Sequence, residues 1–184
     1  VEQVGGPPVN TYDLAESFKP ATPGSGPDLH RRSLYTLWRR TGPGPVLESF
    51  DVPKRAVCVA RRDTTNTALH ALVLLNGPQF VEASRVLAQK LLTGYPPGAG
   101  DISPLLAEGF ERLTSRRPDE AETAILRSMH AEQLAWYTAH PDDAQKLLTV
   151  GSVPADPTLL PVDVASLAGV LSALLNYDGT VVKR

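Results

Sequence analysis

The sequence predicts an all-α fold, an irregular helical bundle of about six to seven helices with long Pro/Gly-rich loops and no substantial sheet. Three observations carry that expectation. Apolar residues recur three and four apart along most of the chain, the period of a helix face. Proline, glycine or an acidic residue stands at the edges of each such stretch, where helices begin and end. The one short run with strand character, Val57-Cys58-Val59, has no partner run to pair with.

In chain order, residues 1–27 hold five prolines and four glycines. They read as an extended, loop-rich lead-in draped over a neighbouring surface, with Tyr12, Leu14 and Phe18 as anchors. Residues 28–184 read as a single helical domain. A first helix is expected over residues 28–41, opened by Pro27 and Asp28, with Leu34, Leu37 and Trp38 facing inward. Residues 42–56 are expected to be irregular, because Pro43, Pro45 and Pro53 each interrupt regular structure.

Residues 63–93 are expected to be the core hairpin. Leu69, Leu72, Val73 and Leu75 make its first helix apolar nearly all round, which predicts burial on most sides. Thr65 or Asn66 can cap that helix, Gly77 can end it with positive φ, and Pro78 suits the start of the next. Phe80, Ala83, Ser84, Leu87 and Leu91 then recur at helical spacing. Further helices are expected over residues 101–114, 118–139, 141–151 and 162–177. Their inward residues are Leu105, Leu106, Phe110 and Leu113, then Ile125, Leu126, Met129 and Trp136, then Leu167, Leu171, Leu174 and Leu175.

Composition excludes several classes. A net charge of −2 and a pI near 6.1 argue against a dedicated nucleic-acid binder. No run of about 18 apolar residues exists, so no membrane span is expected. A single cysteine, Cys58, excludes an internal disulfide and a multi-cysteine zinc site. Flanked by valines, it reads as a small buried hydrophobe, with a reactive thiol as the rival reading because Lys54, Arg55, Arg61 and Arg62 lie near it. None of the four histidines stands in HxxxH or HExxH spacing, so no metal site is assigned. No CxxCH motif is present, so no cofactor is assigned to this chain. The start, VEQVGGPPVN, reads as the interior of a longer protein.

Charge is unevenly placed. Residues 28–62 carry eight Arg/Lys against three Asp/Glu, whereas residues 101–184 carry seven against twelve. The basic stretch contains three arginine doublets: Arg31 and Arg32, Arg39 and Arg40, Arg61 and Arg62. Guanidinium forks hold carboxylates, phosphates or backbone carbonyls, so these six are the candidate interaction or anion-binding residues, with internal loop bracing as the plain alternative. Asn66 and His70 are candidates to line a cleft. For His70, in an apolar helix, the plain reading is a hydrogen-bonded core histidine. Catalytic residues are not identifiable from spacing.

The segments DLHRRSLYTLWRRT and SFDVPKRAVCVARRDTTNTALHALVLLNGPQFVEASRVLA closely resemble a C-terminal domain of unknown function in large, cytochrome-c-associated, secreted planctomycete proteins. That family shows an RRSLYTFWKRT-like helix, an FDxPxRExC-like turn and a TNTPLQALVLLNDPxFVEAAR run, in this order. RRPDEAE and the closing LLNYDGTVVKR also look like the family's tail. Here Ala68, His70 and Gly77 replace the family's usual Pro, Gln and acidic residue, so no polar role is carried over at 70 and 77. The resemblance implies no catalytic residues. It implies an extracytoplasmic parent protein with a companion domain, and haem, where present, in another domain of that parent. The expected function is therefore a structural or interaction module that packs on the companion domain. The rival is an active site shared with it, in redox or carbohydrate chemistry.

Overall fold

A computed structural model of the chain describes residues 4–9, 15–16, 19–20, 24, 26–37, 44–53, 57–95 and 100–181. The helices are α1 (Pro45–Ser49), α2 (Ala68–Asn76), α3 (Pro78–Thr93), α4 (Ser103–Thr114), α5 (Glu120–Ala139), α6 (Pro141–Leu148), α7 (Pro161–Leu175) and α8 (Asp178–Val181). Regular strand pairing among the described residues is confined to two residues each of β1 (Ala15–Glu16) and β2 (Lys19–Pro20), paired antiparallel. The fold is all-α, as expected. No helix among the described residues is long and apolar enough to cross a membrane. The chain divides into two compact units, Val1–Val73 and Leu74–Arg184, and the division falls inside α2.

The second unit is built around α7. This helix is apolar nearly all round, and Val164, Ala165, Leu167, Val170 and Leu171 are all buried. A helix of that kind is stable only when neighbours cover every side. They do: α3, α4, α5 and α6 all pack on it. Small residues let them come close. A side chain at Gly109 of α4 would run into Leu171, and one at Gly169 of α7 would run into Gln133 of α5. The buried Ser166 hydroxyl donates to the Val162 carbonyl one turn back, at 2.6 Å, so its polarity is satisfied without a partner helix.

The expected core hairpin is corrected by this arrangement. The α2 and α3 helices form where the pattern puts them, and Pro78 opens α3. But α2 is not sheathed. Only His70 and Leu74 on its inner side are buried, whereas Leu69, Leu72 and Leu75 are 50, 58 and 46% exposed. Gly77 has φ −65°, an ordinary extended residue preceding α3 rather than a left-handed stop. Thr65 does not cap α2, because its side chain is bonded to Asp51.

In the first unit the described part of the helix expected over residues 28–41, residues 28–37, runs as two 3-10 turns, Gly26–His30 and Ser33–Tyr35. Arg32 lies between them with ψ 145°, outside any helix. Leu29 is the buried residue of the pair, and Leu34, expected inside, is 84% exposed. Trp38, Arg39 and Arg40 lie outside the described residues, as do the side chains of Tyr12, Leu14 and Phe18. Residues 45–49, expected to be irregular, form α1, because Pro45 occupies its first turn, where the missing N–H is not needed. Val9 is buried and pairs with residues 35–37: its N–H donates to Tyr35, and its carbonyl accepts from Leu37.

The outer helices match their signals closely. Asp119 caps α5 by accepting the Glu122 amide at 2.7 Å, and the Glu122 carboxylate accepts from the Asp119 amide in return, at 2.9 Å. The inner seam of α5 is Leu126, Met129 and Gln133. Ile125 and Trp136, expected inside, are 60 and 55% exposed, because α5 offers only one face to α7. Trp136 instead stacks on His140, one turn on, at 4.1 Å.

Glu122 also ties the start of α5 to the end of α7. Arg116 grips both its oxygens, at 2.7 and 2.5 Å, and the Tyr177 hydroxyl donates to it at 2.9 Å. The Arg116 fork and then the Asp119 amide hold the Glu122 carboxyl at about 2, below its ordinary 4.5. A depressed carboxylate stabilises the fold fully above its unfolded value and loses that contribution as pH falls through the folded one. Stability is therefore expected to fall between pH 4.5 and about 2. Glu122→Gln should flatten that part of the pH profile, measured as urea midpoints across the window. An unchanged slope in the variant would mean the carboxylate is not held as described.

Candidate functional site

The motif-bearing residues of the first unit meet where the Phe50-Asp51 turn faces residues 62–70. Asp51 has φ 56°, a left-handed conformation uncommon for a residue with a side chain. Its carboxylate accepts from the Thr65 amide at 2.7 Å and from the Thr65 hydroxyl at 2.8 and 2.9 Å. These bonds, the amide first, hold the Asp51 carboxyl below the usual range, and the nearby charges of His70 and Arg62 add to the effect.

Arg62 braces the same turn. Its Nε donates to the Asp51 carbonyl at 3.0 Å and its Nη2 to the Phe50 carbonyl. The Phe50 ring stacks on His70, with centroids 5.0 Å apart and planes 17° from parallel. His70 is 5% exposed, and its buried Nε2 meets no hydrogen-bond partner among the described residues. Buried polar atoms without partners are rare in folded proteins, so this nitrogen marks the site chemically.

The other sequence candidates separate from this cluster. Arg31 is buried; it donates to the Pro7 carbonyl at 3.3 Å and to the Gly5 carbonyl, and lies 4.2 Å over the Tyr35 ring. It pins the lead-in to residues 31–35. Arg32, Arg61 and Asn66 are exposed. Arg39 and Arg40 lie outside the described residues. Cys58, expected to be buried between valines, is exposed, because residues 57–67 run without secondary structure and uncovered. No group of three or more His, Cys, Asp or Glu side chains among the described residues is placed to hold a metal ion.

A second polar cluster, in the second unit, is not among the residues expected from the sequence. Glu82 and Arg85 of α3 are 1 and 0% exposed. One Glu82 oxygen accepts from the Ser152 and Val153 amides, at 2.7 and 2.6 Å, and from the Ser152 hydroxyl at 3.3 Å. Arg85 donates to the Val153 carbonyl at 2.6 Å and to Gln89 at 3.1 Å, with Glu82 itself 4.0 Å away. The signal was present. Glu82, Arg85 and Gln89 stand at i, i+3 and i+7, a polar line on one helix face alongside the buried Ser84 and Ala88. This pair fastens the loop after α6 to α3.

Neither a curated protein nor a solved structure matches the chain. The family model for PSD1, proteins of unknown function (DUF1553), matches residues 1–130, and the chain belongs to that family.

Proposed function

We propose that this chain is a helical, C-terminal interaction module of a larger extracytoplasmic protein of the planctomycete type, and that it packs on a companion domain through α2 and the residues leading into it. The observation that carries this reading is the uncovered apolar run. Val57 and Val59 are 66 and 48% exposed, and the outward leucines of α2 continue the same pattern. Single exposed leucines are ordinary, but several on one short helix, next to an exposed segment without secondary structure, are the mark of an interaction surface. Arg61 and Asn66 lie in that segment and supply a polar edge. In this reading haem, where the parent carries it, belongs to a separate domain.

The test compares hydrogen exchange in the parent protein and in the isolated chain. Residues 57–76 are expected to gain protection in the parent. Leu72→Asp should leave the isolated chain within about 0.5 kcal/mol of its original stability, as surface changes do, yet release the module from its companion. Equal exchange in both contexts would refute docking through this face.

A second reading rests on His70. His70 stacks on Phe50 in the turn that Arg62 braces, and its unpartnered Nε2 suits a shared active site in which the companion supplies the missing group. In that case His70→Gln, the family's usual residue, would change the parent's activity without changing domain docking.

A further inference from the structure

We infer that the second unit contains a binding site for a small uncharged aromatic molecule, in the cavity between α4, α5 and the end of α7. The inference is independent of the docking proposal, since every residue it uses lies in Leu74–Arg184. The cavity measures about 260 Å³. Its wall is Phe110, Leu126, Met129, Ala173 and Leu174, and Ile125 stands at the mouth. An apolar cavity of about 150 Å³ already stays dry and takes up benzene, because water inside finds too few polar partners. This one is larger, is open to solvent on one side, and admits one ring or a fused pair.

The rim decides the charge of the occupant. Glu122 and Tyr177 reach the cavity, but their polar atoms are committed. Each Glu122 oxygen already accepts two bonds, from Arg116 and Tyr177 on one side and from Arg116 and the Asp119 amide on the other. The Tyr177 hydroxyl donates to Glu122 and accepts from Arg116 at 3.1 Å. The Arg116 guanidinium is turned to this pair and lies 4.8 Å over the Phe110 ring. A charged ligand would find no counter-charge free, so it would lose hydration without compensation.

Asn176 is the one polar handle. Its amide nitrogen donates to the Ser172 carbonyl at 3.3 Å, which leaves its side-chain oxygen for a ligand N–H or O–H. The wall favours aromatic rings over alkyl chains. Phe110 and Tyr177 stand 5.8 Å apart at 45°, a tilted pair that a third ring can join edge to face, and the Met129 thioether adds a polarisable contact. The ligand class is one or two aromatic rings, uncharged, with at most one hydrogen-bond donor.

The test titrates the full chain with toluene, phenol, indole and benzoate, followed by amide chemical shifts. Toluene, phenol and indole are expected to bind saturably and to move resonances of α5 and the end of α7. Benzoate should bind at least about tenfold more weakly, because its charge stays unpaired. Asn176→Ala should weaken phenol and indole but leave toluene unchanged. Ala173→Leu, which fills the cavity, should abolish binding while the melting temperature holds or rises. If that variant fails to fold, Ile125→Trp at the exposed mouth tests the same point. Absence of saturation with all three neutral probes, benzoate binding as tightly as toluene, or binding that survives the filling variants would overturn the assignment.

Discussion

Replacing Glu82 by alanine is expected to destabilise the second unit by about 3–5 kcal/mol, the cost of breaking a buried ion pair by removing one of its members. The carboxylate is 1% exposed and the Arg85 guanidinium beside it is fully buried, so solvent cannot take over for either. The variant loses more than the charge. The Ser152 and Val153 amides, bonded to Glu82 at 2.7 and 2.6 Å, lose their acceptor at the same time. Glu82→Gln separates the two contributions. Glutamine keeps an oxygen for the amides but removes the negative charge beside Arg85, so its loss should be smaller than that of alanine. Urea unfolding followed by circular dichroism reads both. A loss under about 1 kcal/mol for the alanine variant is the behaviour of an exposed pair, and would show that this cluster does not hold the loop.

How far the sequence could be read depended on whether the deciding contact was local. The start of α5 was legible because Asp119 and Glu122 cap it within three residues. Pro78, Pro141 and Pro161 mark helix starts by the same local logic. Which helix sits at the centre was not legible from periodicity. Both α2 and α7 are apolar nearly all round, and the pattern does not say which of them neighbours will cover. The small residues of α7, Ala165, Ser166, Ala168 and Gly169, were the available clue, since close approach of several helices needs them. The helix expected over residues 28–41 does not form across residues 28–37 for a long-range reason. Arg31 reaches back to the carbonyls of Gly5 and Pro7, and Val9 pairs with residues 35–37. Those contacts favour an extended Arg32 over a continuous helix, and nothing within the segment announces them. Of the candidate site, Arg62 and His70 were named from sequence. Asp51 is not expected there, because a left-handed aspartate has no signature in a single sequence, and Thr65 reads from sequence only as a helix cap.

Gly151→Ala is expected to cost nearly as much as the loss of Glu82, and for a connected reason. Gly151 has φ 97°, and a side chain there would stand 2.6 Å from both the Cγ and the Oε1 of Glu82. The backbone alone disfavours alanine by about 1–2 kcal/mol in a left-handed conformation. The collision costs more than that, because Glu82 has to leave the Ser152 and Val153 amides to make room, and its carboxylate is drawn away from Arg85. The two positions are therefore coupled. In the Glu82→Ala background the obstacle is gone, and Gly151→Ala should cost only the backbone share of about 1–2 kcal/mol. The double variant is expected to be more stable than the sum of the single losses predicts, by more than about 1 kcal/mol, within the range measured for residues in direct contact. Simple additivity in that cycle would mean that the glycine serves the turn alone, and that the close fit of the loop against α3 contributes nothing to its position.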